Sequence, residues 1–306
     1  MPMRISVAVC TYNGAAVIRK ALRSLEAQSL PESDFEILVI DNASSDETPL
    51  MVREESERRG NIRYIREEKL GLSVARNTAA RLASAKLLAY LDDDAQASGG
   101  WLEALLNAFE NRQPAPACVG GPVALDWGGK PPEWLPPRHQ ALYSGLDLGS
   151  AGHFLVSPRE YLIGANMAFR IEALRDNGGF DENLGRKGMA LISGEESALL
   201  GRFRAKGLPL YYEPLASVSH LVKPDRQTRR WLVSRTYWDG ASQPLIDYGK
   251  GRTRRFYAWH ACRDSRRLAE IGLSIRPGTF SDRALEFIQR IGRLRTNVLL
   301  TATGGR

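Results

Sequence analysis

Short apolar runs alternate with amphipathic stretches through the first third of the chain. Ile5-Ser6-Val7-Ala8-Val9-Cys10, entered from Arg4, and Phe35-Glu36-Ile37-Leu38-Val39-Ile40, ending at Asp41, have the length and β-branched content of buried strands. Between them Ile18, Ala21, Leu22 and Leu25 recur at the spacing of one helical face. Asn13-Gly14 and Leu30-Pro31-Glu32-Ser33-Asp34 break the chain at either side of that helix. The polar turn Asn42 to Asp46 opens a charged helix that stops near Gly60. Asn61 to Glu67 reads as a weaker strand nearer a sheet edge, and Ser73 is placed to cap a helix over Val74 to Ala83. Lys86-Leu87-Leu88-Ala89-Tyr90-Leu91 is a fourth strand that runs straight into Asp92-Asp93-Asp94. Leu102, Leu105, Leu106 and Phe109 then mark another amphipathic helix.

Strand and helix alternating over about 110 residues predict an α/β fold, a mostly parallel central sheet with flanking helices. Ligands in such sheets bind beyond the carboxyl ends of the strands. Asn13, Asp41 and the triple aspartate all fall at those ends. From 114 to 160 Pro114, Pro116, Gly120-Gly121-Pro122, Gly128-Gly129, Pro131-Pro132 and Pro136-Pro137 predict an irregular excursion over the sheet, or a lid. Regular structure resumes at Tyr161. Glu195 to Lys206 suits a helix ended by Gly207, and Leu210-Tyr211-Tyr212-Glu213 a late strand. Beyond His220 the pattern is Arg-rich and helical, with Leu285, Ile288, Ile291 and Leu294 on one stripe. The expected division is 1–222 for the α/β domain and 223–306 for a basic, mostly helical C-terminal segment.

Composition narrows the classes. With 306 residues, 43% hydrophobic and 25% charged, the chain can bury a large core and is neither disordered nor fibrous. No stretch approaches the ~20 apolar residues of a spanning helix. The six apolar-rich residues Ile5 to Cys10 are followed by Thr11-Tyr12-Asn13, which does not read as a secretory signal. Cys10, Cys118 and Cys262 show no metal-ligand spacing and fit a reducing, cytoplasmic setting. Charge is uneven. Residues 223–306 hold 18 Lys and Arg against 7 Asp and Glu, net +11, whereas residues 1–222 hold 24 against 28, net −4. Such asymmetry suits an anionic membrane surface, a phosphorylated substrate or nucleic acid, and equally a solvated face.

Three adjacent carboxylates repel one another, and a hard divalent ion bridging to substrate phosphates would compensate them. A solvated acidic turn is the plainer reading, but the position directly after a buried strand favours the ion. If the strand continued, Asp92 and Asp94 would share one side and Asp93 the other. Asp41 could accept a hydrogen bond from a ribose or simply shape a turn. There is no G-x-G-x-x-G after the first strand and no G-x-x-x-x-G-K-[ST], which disfavours the glycine cradles for phosphate and favours a metal as the means of neutralising a diphosphate.

Cys10-Thr11-Tyr12-Asn13-Gly14, Val39-Ile40-Asp41-Asn42-Ala43-Ser44-Ser45-Asp46, Gly71-Leu72-Ser73-Val74-Ala75-Arg76-Asn77 and Leu91-Asp92-Asp93-Asp94 together resemble the glycosyltransferase family 2 pattern. So do Gly164-Ala165-Asn166-Met167-Ala168-Phe169-Arg170, Gly178-Gly179-Phe180-Asp181 and Gly194-Glu195-Glu196. The resemblance spans about residues 4–222 and implies a GT-A fold and inverting transfer from a nucleotide sugar with Mn2+ or Mg2+. It implies that Thr11, Asn13 and Asp41, with Tyr12 and Asp93 beside them, line the nucleoside side. It places Asp92 at ribose and metal, Asp94 and His220 as metal ligands, Arg76 near the nucleotide and Asn166 beside the donor sugar or acceptor. The family's base usually lies in a Glu-Asp pair. Here the pair is Glu195-Glu196, which puts Glu196 at the base position, one methylene longer, and leaves Glu195 as the other candidate.

The expected reaction is inverting glycosyl transfer in surface polysaccharide or glycoconjugate assembly, from a UDP, GDP or dTDP sugar to a carbohydrate or lipid-linked acceptor. Nucleic acid is not an expected partner, since the basic charge lies outside the sheet domain. Peripheral association with an anionic membrane at its inner face is the expectation for the basic segment, where Trp231, Tyr237 and Trp238 lie among Arg226, Arg229, Arg230 and Arg235. A sugar-nucleotide pyrophosphorylase or another phosphotransfer enzyme would want a glycine-rich basic loop after the first strand, which Thr11-Tyr12-Asn13-Gly14 is not.

Overall fold

A computed structural model describes residues 3–135, 137–157, 159–188, 190–272 and 281–303. Pro136 of the proline-rich excursion and residues 273–280 and 304–306 of the basic segment lie outside the described residues. The chain forms two compact units, 1–180 with 199–222, and 181–198 with 223–306.

The first unit opens with β1 (Ile5–Thr11), α1 (Ile18–Glu26), β2 (Phe35–Asp41), α2 (Thr48–Arg58), β3 (Ile62–Arg66), α3 (Leu72–Leu82), β4 (Leu87–Asp92), β5 (Ala95–Ala97) and α4 (Trp101–Asn111). Strands β3, β2, β1 and β4 run parallel in that spatial order. Strands β1, β2 and β4 are buried on both faces, which is why they read as continuous apolar runs, whereas the edge strand β3 fully buries only Ile62. Ile5, Val7, Val9, Ile37, Val39, Ala89 and Leu91 face a layer with the apolar sides of α1 and α4. Ala8, Leu38, Ile40, Leu88 and Tyr90 face the other layer with α3. The helix over Ile18, Ala21, Leu22 and Leu25 buries those four residues. Ser73, expected as a cap, instead lies buried inside α3, whose N-cap is Gly71 with no side-chain cap bond.

The excursion after α4 is less irregular than its prolines suggest. It contains β6 (Cys118–Gly120), β7 (Val123–Asp126), a 3-10 turn and β8 (His153–Phe154). The motif Asn166–Arg170 is itself a strand, β9, followed by α5 (Ile171–Asp176). It pairs antiparallel with both β4 and β6 and so joins the parallel half of the sheet to the rest. After α6 (Glu195–Ala205), β10 (Leu210–Tyr212) sits between β6 and β8. After β10 comes β11 (Val218–Leu221), which carries His220 and is the centre of a second sheet ordered β5-β11-β7.

The second unit holds residues 181–198 and three helices, α7 (Arg229–Tyr248), α8 (Arg254–Gly272) and α9 (Asp282–Thr303). Helices α7 and α9 cross at small residues: a Cβ on Gly240 would strike the Gln289 carbonyl, and one on Gly292 the Tyr237 carbonyl. The stripe on α9 holds only in part. Leu285 is buried, Ile288 and Leu294 are half-buried, and Ile291 is exposed. The buried line is Leu285, Gly292 and Asn297 instead.

Candidate active site

Strand register brings the functional ends together. Thr11 pairs with Asp41 across β1 and β2, and Cys10 with Asp92 across β1 and β4. Strand β4 ends at Asp92, so Asp93 and Asp94 form a turn rather than continuing the pleat. The side chains still separate as strand alternation predicts, but the turn does the separating. Asp93 accepts a hydrogen bond from Thr11 Oγ1 at 2.6 Å. A Cβ on Gly14 would collide with both of those groups, so the glycine at this position admits the contact. Asp94 faces the other way. Antiparallel pairing of β5 and β11 sets His220 opposite Ala95, and the Leu221 amide donates to the Asp94 carbonyl. His220 Nε2 thereby lies 3.1 Å from Asp94 Oδ1, both side chains being buried.

Ligand atoms from Asp92, Asp94 and His220 lie within 4.8 Å of one another. Two carboxylates and an imidazole form a donor set suited to a divalent ion that accepts oxygen and nitrogen, such as Mn2+. The buried Nδ1 of His220 has no hydrogen-bond partner among the described residues. The residues present fit a cation.

Arg76, from α3, lies buried beneath this rim, with Nη2 3.4 Å from Asp92 Oδ1. Its guanidinium stands over the Phe180 ring at 5.4 Å, and a Cβ on Gly164 would run into it. One positive charge thus offsets the carboxylate cluster from below. Burial pushes the Cys10 thiol up to about 12, with Asp92 and Asp93 adding to the rise and Arg76 opposing it, so Cys10 stays a neutral thiol.

The remaining candidates from the sequence fall in three groups. Asp41 is fully buried: Oδ1 accepts from the Ser44 amide at 2.9 Å, and Oδ2 from Tyr64 at 2.7 Å and Arg66 at 3.1 Å. Asn13, with φ 51°, accepts from the Ser45 amide through Oδ1 at 2.8 Å and donates its own amide to Ser44 Oγ at 2.9 Å. Those bonds stitch the β1 loop to the β2 loop. Tyr12 is exposed at the same rim.

Asn166 is engaged by the protein itself. Its side chain is wholly buried, accepting from Trp101 Nε1 at 2.9 Å and donating to the carbonyls of Pro122 at 3.1 Å and Ala216 at 2.7 Å. Contact with a sugar or acceptor would require one of these bonds to be exchanged. Asn166 ties α4 to the loops beside β7 and β11. Trp101 is therefore a core residue. Trp127 and Tyr143 pack on each other with ring centroids 5.1 Å apart.

Glu195 and Glu196 head α6 in the second unit, where the positive end of the helix dipole favours carboxylates. Glu195 is buried, and Glu196 is half-buried with its Oε2 lacking a hydrogen-bond partner among the described residues.

Sequence reasoning missed Tyr64 and Arg66, the groups that hold Asp41. The available signal was their i, i+2 spacing on the strand next to Asp41, which puts both on one face.

An α/β sheet of this order with an acidic rim at its strand ends is a GT-A fold. The sequence pattern described as glycosyl transferase family 2 matches residues 6–176, and the chain belongs to that family. It is 29% identical over 248 residues to the glucosyl-dolichyl phosphate glucuronosyltransferase of Haloferax volcanii, covering 80% of this chain and 78% of the relative. It is 28% identical over 261 residues to the succinoglycan biosynthesis protein ExoM of Rhizobium meliloti, covering 84% and 79%. Among solved structures, the mannosyltransferase PcManGT of Pyrobaculum calidifontis, in complex with GDP-Man and Mn2+, superposes with a TM-score of 0.53 at 20% identity, covering 100% of this chain and 79% of that one.

Proposed function

We propose that the chain moves a sugar from a nucleoside-diphosphate sugar to an acceptor hydroxyl with inversion, holding Mn2+ or Mg2+ at Asp92, Asp94 and His220. The gathering of those three residues' ligand atoms within 4.8 Å carries the reading. A cation held there would supply positive charge to the diphosphate oxygens of the leaving group. Residues 1–222 act as the transferase domain and 223–306 as its basic segment.

Thr11, Tyr12, Asn13, Asp41, Arg76 and Asp93 serve the nucleotide side. For Asp41 this means exchanging its Tyr64 or Arg66 hydrogen bond for one from the ligand. Glu196 takes the acceptor's proton, with Glu195 the alternative. As the acceptor oxygen bonds to the anomeric carbon, the carbon–oxygen bond to the diphosphate breaks and its electron pair leaves with the nucleotide. Attack from the far side inverts the centre. Arg76, beneath the rim, tempers repulsion between the carboxylates and the incoming diphosphate.

The GDP-Man and Mn2+ in the Pyrobaculum structure support a nucleotide-sugar donor with a metal. A relative named for glucosyl-dolichyl phosphate and another for succinoglycan support a lipid-linked or carbohydrate acceptor in glycoconjugate or polysaccharide assembly. Among the described residues no helix is long and apolar enough to cross a membrane. Action at the inner membrane face is part of the proposal.

The test is a panel of UDP, GDP and dTDP sugars, each with Mn2+, Mg2+ or EDTA, read by melting temperature and by donor hydrolysis. One nucleotide should raise the melting temperature only with a divalent ion, because a ligand that binds the folded state stabilises it by mass action. A panel with no metal-dependent shift would overturn the donor-site reading.

A further inference from the structure

Loop 191–194, leading into Glu195 and Glu196, is strapped to one face of α7. Arg235 donates through Nη1 to Ser193 Oγ at 3.3 Å and to the Leu191 carbonyl at 3.5 Å. Two turns on, Ser242 Oγ accepts from the Ser193 amide at 3.0 Å and donates to the Trp238 carbonyl at 2.7 Å, which fixes its rotamer. One turn further, Ile246 presses on Gly194. That glycine has φ 99°, and a Cβ there would collide with Ile246 Cδ1. Residues 235, 242 and 246 are spaced seven and four apart, so a single helical face makes all three contacts.

Side chains spent this way are costly for a merely structural helix. Ser242 is almost fully buried, and the Arg235 Nε is buried with no hydrogen-bond partner among the described residues. Burial draws the Arg235 guanidinium below its ordinary pKa. Asp239, Glu196 and Glu195 oppose that shift and Arg186 adds to it. A partly desolvated cation therefore acts electrostatically on both candidate bases while gripping the backbone just before them.

We propose that this face of α7 is a positioning surface for the acceptor-activating carboxylate, with Arg235 its positioning residue. The inference rests on the reading of Glu196 as the base. It gives the longer glutamate side chain a fixed starting point, because the backbone entering α6 is held at Leu191, Ser193 and Gly194 just before it.

The test uses the full chain with the donor and metal that the hydrolysis panel identifies, and compares E196Q, R235M, R235K and S242A. Donor dissociation constant, kcat for hydrolysis and hydrogen exchange at amides 192–197 are measured for each. R235M and S242A should lower kcat about 10- to 100-fold, with the donor dissociation constant within twofold and faster exchange confined to 192–197. R235K should recover part of the rate. An active E196Q overturns the base reading itself. An inactive E196Q beside R235M and S242A at full rate leaves the base reading standing and overturns the positioning surface. Slower R235M and S242A with a proportionally weakened donor dissociation constant also overturn it, since the face would then serve the fold or the donor.

Discussion

Asp94 and Asp93 are adjacent carboxylates with different surroundings. Asp94 is buried against His220, whereas Asp93 receives a neutral hydroxyl from Thr11. Removing charge from one should not equal removing it from the other. Asp94→Asn and His220→Ala are each expected to weaken Mn2+-dependent nucleotide affinity by at least about tenfold, as loss of a ligand from a hard-cation site does. Asp93→Asn should cost less and leave the metal dependence in place. Calorimetric titration of Mn2+ with the cognate nucleoside diphosphate checks both, and equal losses at 93 and 94 would contradict the division of labour. Asp92 and Asp94 were legible from sequence because a charged triplet after a buried strand demands compensation. His220 was reachable only through the family resemblance, since its approach depends on β5 and β11, whose three and four residues carry too short a pattern to be read. The surroundings of Asn166 were hidden for a related reason. An Asn in a recurrent motif looks like a ligand contact, and only the fold reveals that its amide meets Trp101 and two carbonyls.

Strands β1, β2 and β4 were readable because two-sided burial removes polar positions from them. Glu36 is the exception within β2, and its presence has a structural cause. Oε1 accepts from Ser6 Oγ at 2.6 Å and the Ser84 amide at 2.7 Å, and Oε2 pairs with Arg63 at 2.9 Å. Burial pushes this carboxyl up, but the bonds from Ser6, Ser84 and Arg63 outweigh it and leave the pKa below the ordinary value. A depressed folded pKa contributes stability that is present above the unfolded value and is lost as pH falls through the folded one. Glu36→Gln should therefore cost about 1.5–3 kcal/mol at neutral pH and flatten the acid limb of the stability profile as pH falls below the ordinary carboxylate value. Unfolding in denaturant at several pH values decides it, and an unchanged acid limb would show that Glu36 is not the linked group. The α7–α9 crossing was legible only as helical periodicity, not as contact. Gly240→Ala inserts a Cβ against the Gln289 carbonyl and should cost about 1–3 kcal/mol by overpacking, measured the same way.

Over the whole molecule the charge asymmetry finds a physical outlet on α8. Its buried line is only Tyr257, Asp264 and Ile271, so most of its circumference meets solvent. Asp264 is wholly buried and answered by Arg290 and Arg293 from α9, which withdraws the negative charge from the surface. Arg254, Arg255, Arg263 and Arg266 remain exposed there. Trp259 is 60% exposed, with the Arg263 guanidinium 5.0 Å from its ring centroid. An aromatic ring flanked by arginines suits the headgroup level of an anionic bilayer. If the proposed membrane association holds, α8 offers this chemistry one helix later than Trp231 and Trp238, which the sequence pattern favours and which are half-buried on α7. Each arginine near an anionic surface contributes about 1 kcal/mol, so Arg255→Glu, Arg263→Glu and Arg266→Glu combined should lower partition onto phosphatidylglycerol vesicles by roughly a hundredfold or more. Binding to phosphatidylcholine vesicles should be weak for both proteins, and 0.5 M salt, on the order of the screening that shortens surface attraction to a few ångströms, should erase the difference. Co-sedimentation measures it, and donor hydrolysis in solution should be unaffected by the triple change. Equal partition of wild type and triple variant would assign the basic charge of residues 223–306 to solubility instead.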